Sequence, residues 1–132
     1  MRNDAEFRLQ CAVADHLRLS AAPGIYWFHP ANGEARTART GGRLKRMGVR
    51  PGVPDMVVVV NGKTHGLELK ASNGRQSDAQ RVAESEWTAA GGVYAVAHGI
   101  DEALGLLKDW KALPDDYGFV PARRRQLSLE IA

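Results

Sequence analysis

Cysteine, long apolar runs and signal-type segments are scarce or absent in this sequence of 132 residues. The one cysteine, Cys11, excludes an intramolecular disulfide framework and a cysteine-based zinc site. The longest apolar run is MVVVV, far short of the roughly 20 residues that a membrane-spanning helix needs. The first ten residues, MRNDAEFRLQ, have no apolar core of the signal-peptide kind. We therefore expect a soluble, intracellular (cytoplasmic) protein.

The sequence also gives no support for a histidine-based metal site or for a glycine-rich nucleotide-binding site. The histidines at positions 16, 29, 65 and 98 show no metal-ligand spacing such as HExxH, and no glycine-rich loop follows a strand in nucleotide-binding form. They are expected to be surface or packed residues, with His29 as the exception because it ends a strand. Trp27, Trp87 and Trp110 fall in regular elements and are expected in the core. The length favours one domain over residues 1–132, with a core at about 4–110 and a tail at 111–132.

Positive charge is concentrated in one stretch. The chain carries a net charge of only +3, yet residues 30–54 hold six basic residues against one acid, Glu34. Basic runs are commonly solvated surface, but this one lies in a Gly- and Thr-rich stretch, which favours contact with nucleic-acid phosphates. The residues predicted to bind DNA on this ground are Arg36, Arg39, Arg43, Lys45, Arg46 and Arg50.

Apolar periodicity predicts an α/β fold. The spacing of Phe7, Cys11, Ala14 and Leu17 predicts a first helix, followed by a strand at 25–29 and a long loop with a short helix near 43–47. Strands are then predicted at 56–60, 66–70 and 93–98, and helices at 77–90 and 101–110. This order indicates a mixed sheet flanked by helices.

The Asn61-Gly62 dipeptide predicts a two-residue hairpin turn, because type I′ turns need positive φ at both central residues. Counting outward from this turn puts Asp55 opposite Glu68, with Lys70 on the same face and Leu69 pointing into the core. Opposed carboxylates repel unless a positive charge offsets them, and their hard oxygen ligands favour Mg²⁺ or Mn²⁺.

Other interpretations of these residues stay open at this point. Asp55 could simply begin a strand, and Glu68 and Lys70 could be charges on the solvent side of an edge strand. A longer loop, NGKTHG, would shift the register and separate the two acids. Gln80 could act at the site, or it could only bond back to the helix start in a Ser77-x-x-Gln80 capping box.

Pro54-Asp55 followed thirteen positions later by Glu68-Leu69-Lys70 resembles the PD-(D/E)XK nuclease signature. GVRPGVPD at 48–55, the ELK strand and Gln80 together resemble the VRR-NUC family, the virus-type replication-repair nucleases. The resemblance covers about residues 6–110. It implies a restriction-endonuclease-like αβββαβ core with a mixed central sheet flanked by helices.

The resemblance also assigns roles. Asp55, Glu68 and the Leu69 carbonyl would bind Mg²⁺ or Mn²⁺, Lys70 would be the catalytic lysine, and Gln80 and Glu6 would complete the catalytic set. Asn32, in HPANG, resembles the family's PNG-like turn, although an alanine separates its proline from its asparagine. It is the remaining residue predicted to contact DNA.

The implied activity is metal-dependent hydrolysis of DNA. Standalone relatives act on branched DNA and as homodimers, which favours a four-way junction or a flap as substrate and a possible homodimer. Two alternatives remain: a restriction-type or nicking nuclease of a phage or mobile element, and a non-catalytic DNA-binding module that keeps the nuclease fold. RNA is not excluded as a substrate.

Overall fold

The computed structural model describes residues 4–31 and 37–118. Four helices and four strands form this part of the chain. The helices are α1 (Asp4–Ser20), α2 (Ala38–Met47), α3 (Asp78–Ala89) and α4 (Ile100–Asp109), and the strands are β1 (Tyr26–Phe28), β2 (Met56–Val60), β3 (Lys63–Lys70) and β4 (Val93–His98). They follow one another along the chain in the order α1-β1-α2-β2-β3-α3-β4-α4.

The strands form one mixed sheet in the order β1-β2-β3-β4. β1 with β2 and β2 with β3 are antiparallel, whereas β3 with β4 is parallel. The parallel step is possible because α3 provides the crossover between β3 and β4. The predicted α/β class and αβββαβ core are confirmed, with α2 inserted between β1 and β2.

The predicted hairpin turn lies between β2 and β3. Asn61 has φ 51° and Gly62 has φ 76°, the two positive values that a type I′ turn requires. Val60 pairs with Lys63 and Met56 pairs with Leu67, so the register counted from the turn is observed. The longer NGKTHG loop is thereby excluded, because Lys63, Thr64 and His65 already belong to the ladder.

Two elements are longer in the structure than the sequence predicted. β3 begins at Lys63 and not at residue 66, because pairing with β2 starts immediately after the turn. α2 begins at Ala38, and the short helix expected near 43–47 is only its second half. The Thr37 side chain accepts a hydrogen bond from the Thr40 N–H and Gly48 ends the helix with φ 106°, so both ends are capped despite two internal glycines.

The main core lies on one face of the sheet. Leu67 and Leu69 are fully buried there, together with alternate residues of β2, as expected from the period of two. α1 and α4 cover this face, and each fully buried leucine contributes about 1.5–3 kcal/mol. α3 packs on the opposite face of the sheet, where Trp87 lies against Gly66.

The predicted inward stripe of α1 was partly wrong. Phe7 is 60% exposed and Cys11 is also exposed, whereas Leu9, Val13 and Leu17 face the sheet. Apolar residues occur around most of this helix, and packing selects the stripe of branched aliphatic residues four apart. This rotation turns Glu6 and Gln10 towards the end of the sheet.

The assignment of residues 1–132 to one domain stays a prediction, as does the role of the tail, of which 119–132 lie outside the described residues. None of the described helices is long and apolar enough to cross a membrane.

Candidate active site

Two carboxylates come together at the end of the hairpin that is remote from its turn. Asp55 immediately precedes β2, and Glu68 lies within β3, where only 2% of it is exposed. Extending the register by one residue beyond the Met56–Leu67 pair sets Asp55 opposite Glu68. The Asp55 Oδ2 atom accepts a hydrogen bond of 2.8 Å from the Leu69 N–H, which fixes the carboxylate beside β3.

A bend of the chain at Asp55 explains why its side chain takes this position. The Pro54 ring turns back towards Gly66, so the segment before β2 leaves the line of the strand and the ladder ends at Met56. The Leu69 N–H lies beyond this last pair, and it donates to the Asp55 carboxylate instead of to a strand partner. Pro54 has no N–H, so the Leu69 carbonyl receives no hydrogen bond from residue 54.

Lys70 and Glu6 reach the same end of β3 from two directions. Lys70 is the last residue of β3, shares its face with Glu68 and is 8% exposed. Glu6 comes from the first turns of α1, and its carboxylate lies 3.5 Å from the Ala71 N–H. The structure thus places Asp55, Glu68, Lys70 and Glu6, four of the five residues predicted to be catalytic, at the same end of β3, although the three carboxylates do not form one cluster.

Gln80, the fifth residue, has an observed structural role. Its Oε1 atom accepts a 2.8 Å hydrogen bond from the Ser77 N–H, while the Ser77 hydroxyl accepts one of 3.2 Å from the Gln80 N–H. The capping box offered by the sequence is therefore present. A role of Gln80 at the site stays a prediction.

His29 supports the segment that carries Asp55. Its Nδ1 atom lies 2.6 Å from the Asp55 carbonyl oxygen, and because a carbonyl only accepts, Nδ1 carries the proton. β1 pairs with β2 and ends at Phe28, so the residue that follows β1 necessarily comes next to the start of β2. That position was the signal that distinguished His29 from the other histidines.

Close backbone packing holds the same segment against α3. A Cβ atom built on Gly52 would lie 2.3 Å from the Ala79 carbonyl oxygen and 2.8 Å from the Gln80 nitrogen. A Cβ atom on Gly66 would lie 2.8 Å from the Pro54 ring. Only glycine permits these approaches. The first fixes the loop three residues before Asp55 to the first turn of α3, and the second lets the Pro54 ring lie on β3.

Two polar residues near the carboxylates were missed by the sequence analysis. Tyr94 lies beside Gly66 in the parallel ladder and therefore on the face that carries Glu68. Gln76 precedes α3 and lies 3.4 Å from the Tyr94 hydroxyl. The sequence VYAVAH shows the alternation of β4, but nothing in it indicates which strand Tyr94 would lie beside.

The chemistry of these donors fits a hard divalent cation. Asp55, Glu68 and the Leu69 carbonyl offer only oxygen, the ligand type that Mg²⁺ and Mn²⁺ prefer. Within residues 4–31 and 37–118, no three His, Cys, Asp or Glu side chains come together as a metal site. The protein would thus supply few ligands and leave the other coordination positions to water and phosphate, as is usual for Mg²⁺.

The basic residues predicted to contact DNA remain at the surface. Four of them lie on α2, a helix with no buried residue over Ala38–Met47: Arg39, Arg43, Lys45 and Arg46. Arg50 is also exposed, but its guanidinium forms a 2.7 Å ion pair with Glu86 on α3. Asn32 and Arg36 lie outside the described residues.

An open depression of about 350 Å³ lies far from this site. Its lining includes Gly62, Lys63 and Thr64 at the hairpin turn, together with Trp87 at the end of α3. Because these residues are at the opposite end of β3 from Lys70, the depression does not contribute to the carboxylate site.

Comparison with known proteins identifies the fold. No protein-family model matches the sequence, and no curated protein matches it. The solved structures that are similar to this chain include two VRR_NUC domains. One is a VRR_NUC domain protein with 21% sequence identity and a TM-score of 0.68; the match covers 83% of this chain and 90% of the other chain. The other is a VRR_NUC domain with 15% sequence identity and a TM-score of 0.56; the match covers 82% of this chain and 99% of the other chain. The chain therefore has the fold of the VRR-NUC domain.

Proposed function

We propose that the chain is an endonuclease that hydrolyses phosphodiester bonds in DNA with the help of Mg²⁺ or Mn²⁺. The observation that carries this proposal is the meeting of Asp55, Glu68 and Lys70 at one end of the hairpin, with Glu68 and Lys70 buried. Burying a carboxylate and an ammonium beside a second carboxylate is costly unless a bound group compensates them. A metal and a phosphate would be such groups.

In the proposed reaction, water attacks phosphorus, the bond from phosphorus to one ester oxygen breaks, and a phosphate monoester and a hydroxyl group form. Asp55, Glu68 and the Leu69 carbonyl would hold the cation, which when bound lowers the pKa of water and balances charge on the phosphate. The Leu69 N–H keeps the Asp55 carboxylate oriented. Lys70 offers a compact positive charge close to the carboxylates, suited to stabilising the extra negative charge on phosphorus.

The exposed basic residues would hold the DNA backbone. α2 presents four basic side chains and no acid within Ala38–Met47, so DNA phosphates would meet only positive charges on this helix. Affinity should fall steeply with salt, and removing one contacting residue, such as Arg43 or Lys45, should lower the salt slope by about one. Asn32 and Arg36 stay predicted DNA contacts from the sequence.

Branched DNA, a four-way junction or a flap, is the substrate we propose, with a homodimer as the form that makes paired cuts and the cytoplasm as the compartment. A restriction-type or nicking activity would show as cutting of linear or circular duplex without a preference for branches. A non-catalytic binding module would bind DNA equally well in chelator and cut none of these substrates.

The test compares wild type with Lys70→Ala and Asp55→Asn on labelled junction, flap and linear duplex, each with Mg²⁺, Mn²⁺ or chelator. Lys63→Ala is the matched control, because Lys63 is exposed at the opposite end of the same strand. We expect metal-dependent cutting that falls by about 10²–10³ in both site variants and is unchanged in the control. Binding without cutting by wild type in every metal would refute the proposal.

A further inference from the structure

The turn that directly follows Lys70 is closed by a hydrogen bond and packs on the lysine. The Gly74 N–H donates a 2.8 Å hydrogen bond to the Ala71 carbonyl, so residues 71–74 form a β-turn immediately after β3. A Cβ atom built on Gly74 would lie 3.1 Å from the Lys70 Cβ atom, so the end of this turn lies against the first carbon of the lysine side chain. The position of Gly74 therefore limits where the Lys70 stem can lie.

His98 holds this turn from the neighbouring strand. In the parallel ladder His98 is the partner of Lys70, so the two side chains leave the sheet on the same face. The His98 Nε2 atom lies 3.1 Å from the Gly74 carbonyl oxygen, and because a carbonyl only accepts, Nε2 carries the proton and donates it to this bond. The imidazole thereby joins the end of β4 to the turn that lies against Lys70.

Glu102, in the first turn of α4, fixes the direction of the His98 ring. Its Oε1 atom accepts a 3.1 Å hydrogen bond from the His98 backbone N–H and lies 3.7 Å from the other ring nitrogen, Nδ1. The His98 and Glu102 side chains are 38% and 57% exposed, so solvent weakens their attraction and the pair contributes little to the stability of the fold. What these contacts determine is which group the Nε2–H of His98 can reach.

We propose that His98 is a positioning residue for Lys70, because it ties the Gly74 turn against the lysine stem and so confines the ammonium group to the carboxylate site. The inference rests on the proposed function, since it uses the role given there to Lys70 in stabilising charge on phosphorus. Lysine has a flexible aliphatic stem, yet Lys70 is 8% exposed at the last position of β3. A catalytic group displaced by about 1 Å can lose about 100-fold in rate, so holding the stem matters for the reaction.

The first readout is chemical modification of Lys70, which needs no DNA. His98→Ala removes the ring, whereas His98→Gln keeps an N–H donor at a similar distance from the backbone. Limited acetylation with acetic anhydride and peptide mass spectrometry give the ratio of Lys70 to Lys63 modification, with Lys63 exposed at the other end of β3. We expect this ratio to rise about fivefold in His98→Ala, the effect of one lost hydrogen bond on local opening, and to stay near the wild-type value in His98→Gln.

The second readout is cleavage of the DNA that wild type cuts best. His98→Ala should lower kcat about tenfold or more, with the KM for DNA and the metal requirement unchanged, because the change acts on the lysine and leaves the carboxylates in place. His98→Gln should regain most of the rate. His16→Ala is the matched control, since the His16 ring also forms a hydrogen bond, to Tyr117, but lies about 15 Å from Glu6 along α1. It should leave kcat and the acetylation ratio unchanged.

Glu102→Ala supplies a second variant that acts through His98. Asp101→Ala is its control, because Asp101 is an exposed acid in the same first turn of α4. Glu102→Ala should raise the acetylation ratio in the same direction as His98→Ala, whereas Asp101→Ala should not. The double variant of Glu102 and His98 should be no more defective in kcat than His98→Ala alone, since both changes remove the same support of Lys70.

The outcomes separate this inference from the nuclease proposal. Either a wild-type kcat or a wild-type acetylation ratio in His98→Ala would overturn the positioning role and leave the nuclease proposal standing. An equal rise of the ratio in His98→Gln and His98→Ala would overturn the hydrogen bond to Gly74 as its cause. A wild type that cuts no DNA in any metal would overturn the nuclease proposal, and with it the catalytic purpose of holding Lys70.

Discussion

Gly52 offers the sharpest test of how the carboxylate site is held in place. Its φ is +77°, in the region that side chains rarely adopt, and a Cβ atom there would lie 2.3 Å from the Ala79 carbonyl oxygen and 2.5 Å from the Ala79 carbonyl carbon. These atoms are helix backbone, which cannot move aside as a flexible side chain could. In Gly52→Ala, either the loop or the first turn of α3 has to shift.

The size of the effect can be worked out by comparison with Gly24. Gly24 has a similar φ of +83°, but a Cβ atom there would have nothing within 4 Å. Gly24→Ala should therefore lose only the conformational contribution, about 1–2 kcal/mol of the free energy of unfolding. Gly52→Ala should lose the same amount and, in addition, about 1–3 kcal/mol from the steric conflict. The difference in the free energy of unfolding between the two variants measures how tightly the loop packs on α3.

Urea denaturation of both variants beside wild type measures these free energies. Cutting of DNA is the second readout, because Gly52 lies three residues before Asp55 and a shifted loop would displace that carboxylate. We expect Gly24→Ala to keep full activity and Gly52→Ala to lose at least tenfold even where it is fully folded. Equal losses of stability in the two variants would refute the close packing of residue 52 on α3.

Two further outcomes follow from contacts around α3. Ser77→Ala should lower the free energy of unfolding by about 1 kcal/mol, because it removes half of the capping box. Ser85→Ala on the same helix is the control and should leave the free energy of unfolding unchanged. Equal denaturation midpoints for the two variants would contradict the stabilising role of the cap. Glu86→Ala should change stability by less than about 1 kcal/mol, since the Arg50–Glu86 pair is more than half exposed. It should also strengthen DNA binding at low salt, because it removes a negative charge beside Arg50. A matching gain in Asp109→Ala would instead point to net charge.

The hairpin shows what local sequence can determine. Asn61 and Gly62 are among the few residues that tolerate positive φ, so they fix the turn, and the turn fixes the register. Because strand side chains alternate, the opposition of Asp55 and Glu68 and the inward direction of Leu67 and Leu69 then follow by counting. The central pair of the candidate site was predictable for this reason.

What escaped prediction depends on contacts between distant segments. The apolar residues of α1 permit more than one inward stripe, and only packing against the sheet decides that Gln10 is buried while Phe7 is not. Tyr94 comes near Glu68 because β4 joins the sheet parallel to β3, a pairing that nothing in either strand's own sequence specifies. The close approach of Gly52 to α3 likewise joins residues 27 positions apart in the chain.

The bend at Asp55 places a limit on how regular this protein can become. If β2 ran straight through residues 55 and 54, two more rungs of ordinary ladder would extend the hairpin and stiffen the end of the sheet. The same change would give the Leu69 N–H a backbone partner and displace the carboxylate that it now holds. The backbone at that edge can complete the sheet or orient a side chain, but it cannot do both. A variant chosen for stability alone would therefore be expected to straighten this edge and to lose the fixed carboxylate.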